Sequence, residues 1–392
     1  MKITAIHEET VSLRSSLRNA YINFSEMTVS IVAIVSDIVR NGRPLIGYGF
    51  HSNGRYSPGE IIRHRLIPRL MGANPGELLE DDGSNISPPR AWQVMMTNEK
   101  PGGHGERAVA VGTLDMALWD LAAKIEEKPL YRLLADRYRG GEADPDVYVY
   151  AAGGYYYPGK GIEGLEDEIR RFLDQGYLDV KIKIGGAPLA ADLERIEAVL
   201  KLLGSQQSLA VDANGRFDLP TALAYAEALT PYRKQIKWYE EAGDPLDYEL
   251  NARVAEISPV PIATGENLFS TQDSRNLIRY GGMKPERDYL QMDPALSYGL
   301  VEYLRTIDML KEHGWSPRRC IPHGGHQLTL HIAAGLGLNG NESYPGVFEP
   351  FGGFADDIPV ESGRVRLPDV PGIGIETKAE LMKVFLPLTN QV

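Results

Sequence analysis

The stretch DVKIKIGG, residues 179–186, reads as a short strand with Lys181 and Lys183 on one face and Val180, Ile182 and Ile184 on the other, because strand side chains alternate with a period of two. Two ammonium groups on one face repel each other. Alone, the stretch describes a half-exposed strand with a solvated face. The following apolar runs change that reading, because each ends on a polar residue: Asp212 in SLAVDA, Glu240 in IKWYE, Glu266 in PIATGE, Asp293 in DYLQMD and His323 in RCIPH. From Lys183 onward these residues recur every 26 to 30 positions, the length of one βα unit. DVYVYA opens the series, and helical patterns such as GLEDEIRRFLDQG, AADLERIEAVLKLL and GLVEYLRTIDMLKEHG fill the gaps. Seven such units and a short eighth strand in region 342–349 predict an α/β fold of the TIM-barrel type, with a doubly wound sheet as the alternative. In a barrel the strand ends converge on one mouth, and the two lysines face it.

Before residue 140 the pattern differs. MKITAIHEETVSL, MTVSIVAIVSDIV and PLIGYGFHS alternate polar and apolar residues and predict an antiparallel meander. VAVGTLDMALWDLAAKIEEKPLYRLL has an amphipathic helical pattern interrupted at Pro129. The expected organisation is an α+β module over residues 1–140, a barrel over 141–359, and a tail over 360–392 that returns to the first module.

Charge and cysteine usage narrow the function classes. The 392-residue chain carries a net charge of −12, which argues against nucleic-acid or anionic-membrane partners and favours a small molecule. A single cysteine, Cys320, excludes an intramolecular disulfide and a cysteine-based zinc site. With no signal-like apolar core at the start and no bilayer-length apolar run, the expectation is a soluble cytoplasmic protein.

At the barrel mouth, Asp212, Glu240 and Glu266 would lie on consecutive strands facing one point. Three carboxylates at close range require a cation, and an all-oxygen set favours Mg²⁺. His323 beside Asp293 suggests an imidazole oriented by a carboxylate for acid or base work. His326 and His331, in HGGHQLTLH, lack the spacing of a two-histidine zinc helix and read as structural helix residues, with His326 close enough to the mouth to stay a candidate for the site. GLGLNG at 335–340 matches a dinucleotide fingerprint literally, but it follows a helix and is rejected; GYYYPGKG at 154–161 lacks a Ser or Thr after Lys160 and is rejected as a phosphate loop.

The K-x-K pair, the three acids, the Asp and His of the next two strands and a Glu beyond them resemble the mandelate racemase subgroup of the enolase superfamily. So does TLDMALWDLAAKIEEKPLYRLL. NAYINF, SNGRY, NEKPGGHGER, YAAGGYYYPGKG, VDANGRF, TGENLFS and AAGLGLNGNESYP resemble the tartrate-dehydrating members of that subgroup. The resemblance spans nearly the whole chain. It implies a modified (β/α)₇β barrel under an α+β capping domain completed by the C-terminal tail, one Mg²⁺ per subunit on Asp212, Glu240 and Glu266, and a homo-oligomer. It implies Lys183 as the base with Lys181 beside it, His323 paired with Asp293 as the acid, and Glu342 as the eighth-strand carboxylate near a small hydroxy-acid substrate. Lys100 and Asn214, the latter two residues past the first metal ligand, would bind the substrate, and Asn19, Tyr21, Asn53, Arg55 and Tyr56 lie in polar loops expected to close over it. The implied reaction is dehydration to a 2-keto acid, with racemisation or a catalytically silent acid-binding barrel as alternatives.

Overall fold

The computed structural model describes all residues except 14, 21 and 390–392. β1 (Ile3–Ser12), β2 (Thr28–Arg40) and β3 (Arg43–Phe50) form the antiparallel sheet that the alternation predicts. α1 (Glu106–Ile125) lies against it. Gly47 and Gly49 of β3 permit the approach: a Cβ on Gly49 would stand 2.4 Å from the Thr113 carbonyl oxygen, and one on Gly47 2.1 Å from that of Ala117. The expected one-sided amphipathicity of α1 is replaced by burial from Ala108 to Lys124. Its far side meets the barrel, where the Asp115 carboxylate accepts the Leu300 N–H at 2.6 Å. A helix covered on all sides loses its polar stripe.

The barrel consists of β4 (Asp146–Gly153), β5 (Val180–Lys183), β6 (Leu209–Asp212), β7 (Ile236–Glu240), β8 (Ile262–Thr264), β9 (Tyr289–Leu290), a seventh strand position at 320–323, and β10 (Asn341–Ser343). Neighbours from β4 to β9 pair in parallel, and β10 returns to pair with β4. RCIPH, expected as a regular strand, makes only a bridge between Leu290 and Cys320. Pro322 has no N–H to continue the ladder. The ring closes there through Ile321 N–H to the Leu290 carbonyl at 2.9 Å and Asn339 N–H to the Cys320 carbonyl at 3.0 Å. Seven helices alternate with these strands: α2 (Gly161–Asp174), α3 (Leu189–Leu202), α4 (Leu219–Ala228), α5 (Tyr248–Ile257), α6 (Thr271–Tyr280), α7 (Leu300–Glu312) and α8 (Gln327–Leu336).

In the tail, β11 (Val360–Glu361) and β12 (Arg364–Arg366) form a hairpin on the outer edge of β4. The chain then reaches the first sheet. Ile373 N–H donates to Asp120 at 2.7 Å, Lys124 Nζ bonds Glu376 at 2.6 Å, and Phe385 of α9 (Ala379–Thr389) stacks obliquely on Tyr48. Among the described residues no helix is long and apolar enough to cross a membrane.

Candidate active site

Strand register builds the site. Lys183 pairs with Asp212 across β5 and β6, and Asp212 with Glu240 across β6 and β7. Parallel neighbours in register point the same way, so the three side chains form one row, with Lys181 on the same face one step deeper. Glu266 follows the end of β8. One oxygen from each of Asp212, Glu240 and Glu266 lies within 4.8 Å of the others.

The two lysines sit inside this acid cluster. Lys181 Nζ lies 2.6 Å from Glu240, 2.7 Å from Glu342 and 3.5 Å from Asp212. Lys183 Nζ lies 2.5 Å from Asp212. Burial alone would lower both lysine pKa values, but Glu240 and Glu342 hold Lys181 well above the ordinary lysine range, and Asp212 does the same for Lys183. Lys181 does push Lys183 downward, as repulsion within the K-x-K pair requires, yet the carboxylates outweigh it. The acids respond in turn. Burial would raise Asp212, but Lys183 and Lys181 hold it down to about 2. Glu240 is pushed up to about 7 by burial and then by the Asp212 charge, which Lys181 offsets only in part. An all-oxygen cluster whose own lysines leave one member short of compensation fits a hard divalent cation.

Counting around the ring from β4, Lys183 stands on the second strand, the three acids on the third to fifth, Asp293 after the sixth and His323 on the seventh. His323 Nδ1 lies 2.8 Å from Asp293, whose other oxygen accepts the Ala295 N–H at 2.7 Å. Burial would lower the imidazole pKa, but Glu266 and the Asp293 hydrogen bond push it up to about 10. That shift favours the imidazolium, the form with a proton to give. His326, by contrast, caps α8, bonds Ser52 Oγ at 2.7 Å and is lowered by burial to about 4; His331 accepts the Tyr131 N–H and is lowered by burial to about 3.

A cavity of about 610 Å³ opens above this floor, and Lys183, Glu266 and His323 line it with Asn19, Asn53, Arg55 and Asn214. Lys181, Asp212, Glu240, Asp293 and Glu342 are buried beneath or beside its walls. Lys100 is exposed and outside the lining, because Arg107 binds the Lys100 and Gly102 carbonyls and holds that turn at the surface. Tyr56, 54% exposed, is also outside it. Tyr21 lies outside the described residues.

Sequence reasoning missed Tyr344, whose phenol oxygen is 3.0 Å from His323 Nε2, and Asn267, which links Arg55 to Glu241. A signal existed for the first. Tyr344 is two residues past Glu342, so the alternation of an extended segment continued one residue beyond β10 sends it to the same side.

Comparison with known proteins places the chain in a family. The family described as "Enolase C-terminal domain-like" matches residues 164–381. The arabinonate dehydratase of Saccharolobus solfataricus is 32% identical over 87% of this chain and 87% of its own length. The 3,6-anhydro-alpha-L-galactonate cycloisomerase of Streptomyces coelicolor is 32% identical over 93% of this chain and 92% of its own. Among solved structures, the L-talarate dehydratase of Polaromonas sp. JS666, complexed with Mg and L-glucarate, superposes with a TM-score of 0.75 at 26% identity, covering 94% of this chain and 92% of that one. With the family model covering more than half of the chain and relatives above 30% identity along most of it, this chain belongs to the enolase superfamily.

Proposed function

We propose that the protein is a Mg²⁺-dependent dehydratase of a hydroxy acid, with D-tartrate, yielding oxaloacetate and water, as the first substrate to test. The observation that carries this reading is the placement of a lysine and an imidazole on opposite flanks of one carboxylate cluster, both lining a single cavity. Held by Asp212, Glu240 and Glu266, the ion would take up the carboxylate charge that keeps Lys183 protonated and supply positive charge to a substrate carboxylate.

The chain's own residues account for the proton movements. Lys183, as the neutral amine, removes the α-proton, and Lys181 beside it favours the neutral form. The electron pair left on the α-carbon forms the C=C bond as the β-hydroxyl departs. His323, oriented by Asp293, provides the proton that lets it leave as water. The enol that remains ketonises to a 2-keto acid. Asn19, Asn53, Arg55 and Asn214 supply donors for the substrate's remaining oxygens.

A longer acid sugar is the second reading. It is supported by the dehydratases among the relatives and by a cavity roomier than a four-carbon diacid needs. The test is a panel of D-, L- and meso-tartrate with five- and six-carbon aldonates and aldarates, incubated with Mg²⁺ and assayed for 2-keto acid and for α-proton exchange in D₂O. Dehydration of one member names the substrate. Exchange without dehydration would make the protein a racemase, and silence across the panel would leave only an acid-binding barrel.

A further inference from the structure

We propose that Tyr344 is a further catalytic residue: its phenol passes the proton of His323 to the departing hydroxyl. This rests on the dehydration reading. For His323 to act directly, Nε2 would have to face the substrate, because Nδ1 is taken by Asp293 at 2.8 Å. In the structure Nε2 instead meets the Tyr344 phenol oxygen at 3.0 Å, while Glu266 and Glu342 stand at 3.6 and 3.8 Å, beyond a hydrogen bond. Tyr344 lines the same cavity as Lys183 and Glu266, and among the described residues its hydroxyl has no other hydrogen-bond partner. With the oxygen accepting from Nε2–H, the phenol's own proton is left to donate elsewhere.

The ring is held in place for this. It is 3% exposed, packs edge-on against Phe348 at 5.2 Å and His323 at 6.2 Å, and lies so close to Gly325 that a Cβ there would stand 2.5 Å from Tyr344 Cδ2. Gly325 also has φ +56°, so HGGH needs glycine at this position on both counts.

The step balances without ionising tyrosine. As the C–O bond breaks, the leaving oxygen takes the phenol proton and the phenol oxygen takes the Nε2 proton. Tyr344 ends as a phenol, His323 as a neutral imidazole, and the hydroxyl as water. A buried phenol beside Glu342, with its pKa raised well above the ordinary value by burial and that charge, does not persist as phenolate, so the two transfers are concerted.

The experiment compares wild type, Tyr344→Phe and His323→Asn on the dehydrated member of the panel and on its β-fluoro analogue, whose fluoride leaves without general acid help. Both variants are expected to retain α-proton exchange within about threefold, to lose dehydration by about 100-fold or more, and to eliminate fluoride at close to the wild-type rate. In the metal-free protein, the ¹⁵Nε2 resonance of His323 should shift in Tyr344→Phe. Dehydration by Tyr344→Phe within about threefold of wild type, equal loss of exchange and fluoride elimination, or an unmoved ¹⁵Nε2 resonance would each overturn the relay. A wild type that neither exchanges nor dehydrates any panel member would remove the dehydratase reading itself, and the relay with it.

Discussion

Lowering the pH should weaken Mg²⁺ binding by an amount the acid cluster sets. Glu240 is pushed from an ordinary 4.5 up to about 7, a difference worth about 3 kcal/mol between its two protonation states. Its proton favours the folded, ion-free protein: that contribution is complete below the unfolded value near 4.5 and is lost as the pH rises through about 7. The ion needs the carboxylate, so its affinity moves the other way and grows across the same window. With a folded-state pKa of about 7, Glu240 alone should give up about 0.9 proton at pH 6 and about half a proton at pH 7 on binding, any proton freed from Lys183 adding to this count, and its titration should raise the dissociation constant roughly 25-fold from pH 7.5 to pH 5.5. Asp212, held down to about 2, stays ionised throughout. Titration calorimetry in two buffers of different ionisation enthalpy counts the protons. A built-in reporter gives the affinity, because Trp238 Nε1–H donates to Glu240 Oε2 at 2.7 Å and the indole should respond when that carboxylate changes partners. A dissociation constant constant within about twofold across this range, or no proton release at pH 6, would refute the assignment of Glu240 as the under-compensated acid.

Other consequences are more direct. Lys183→Met should abolish α-proton exchange in D₂O, and surviving exchange would move the base elsewhere. Asp293→Asn should spare exchange while slowing dehydration by about 100-fold or more, since the 2.8 Å contact that orients and charges His323 is lost; parallel loss of both rates would show that Asp293 serves the fold instead. EDTA should remove activity and Mg²⁺ restore it, with failure of restoration counting against the proposed ion. Asp120→Ala should destabilise the protein by about 3 kcal/mol in denaturant unfolding, because it leaves the buried Lys124 ammonium with Glu376 as its remaining acidic partner beside the Ile46 carbonyl, and frees the Tyr48 and Ile373 N–H groups. A loss below about 1 kcal/mol would show that the tail is held chiefly by Phe385 packing.

The barrel and the row of chemical groups were legible for the same reason. In a βα repeat the polar residue that ends each apolar run is the one the topology carries to the mouth, so spacing alone aligns Lys183, Asp212, Glu240, Glu266, Asp293 and His323. What spacing does not carry is contact between distant turns of the chain. The NEKPGG motif puts Lys100 at the substrate, whereas its position follows from the Arg107 guanidinium that grips the same turn. The apolar residues of the seventh strand fit a regular strand, but its backbone pairing is decided by the missing N–H of Pro322. The helix at 106–125 reads as one-sided because no local pattern announces that the barrel will cover its outer face.

The lysine pair shows most clearly where local reading stops. Within DVKIKIGG only repulsion is visible, and repulsion alone predicts a depressed pKa. The strand register sets Asp212 opposite Lys183, and ring closure brings Glu342 within 2.7 Å of Lys181 from 161 residues downstream; together these reverse the sign. The lysines are therefore counterions of an acid cluster first. Lys183 becomes a base only when something else carries the Asp212 charge, which makes its basicity conditional on occupancy of the carboxylate site. Exchange catalysed by Lys183 should then rise with Mg²⁺ along the same curve as binding measured at Trp238. Exchange at full rate in EDTA would break that link and show that Lys181 repulsion alone is enough to free the amine.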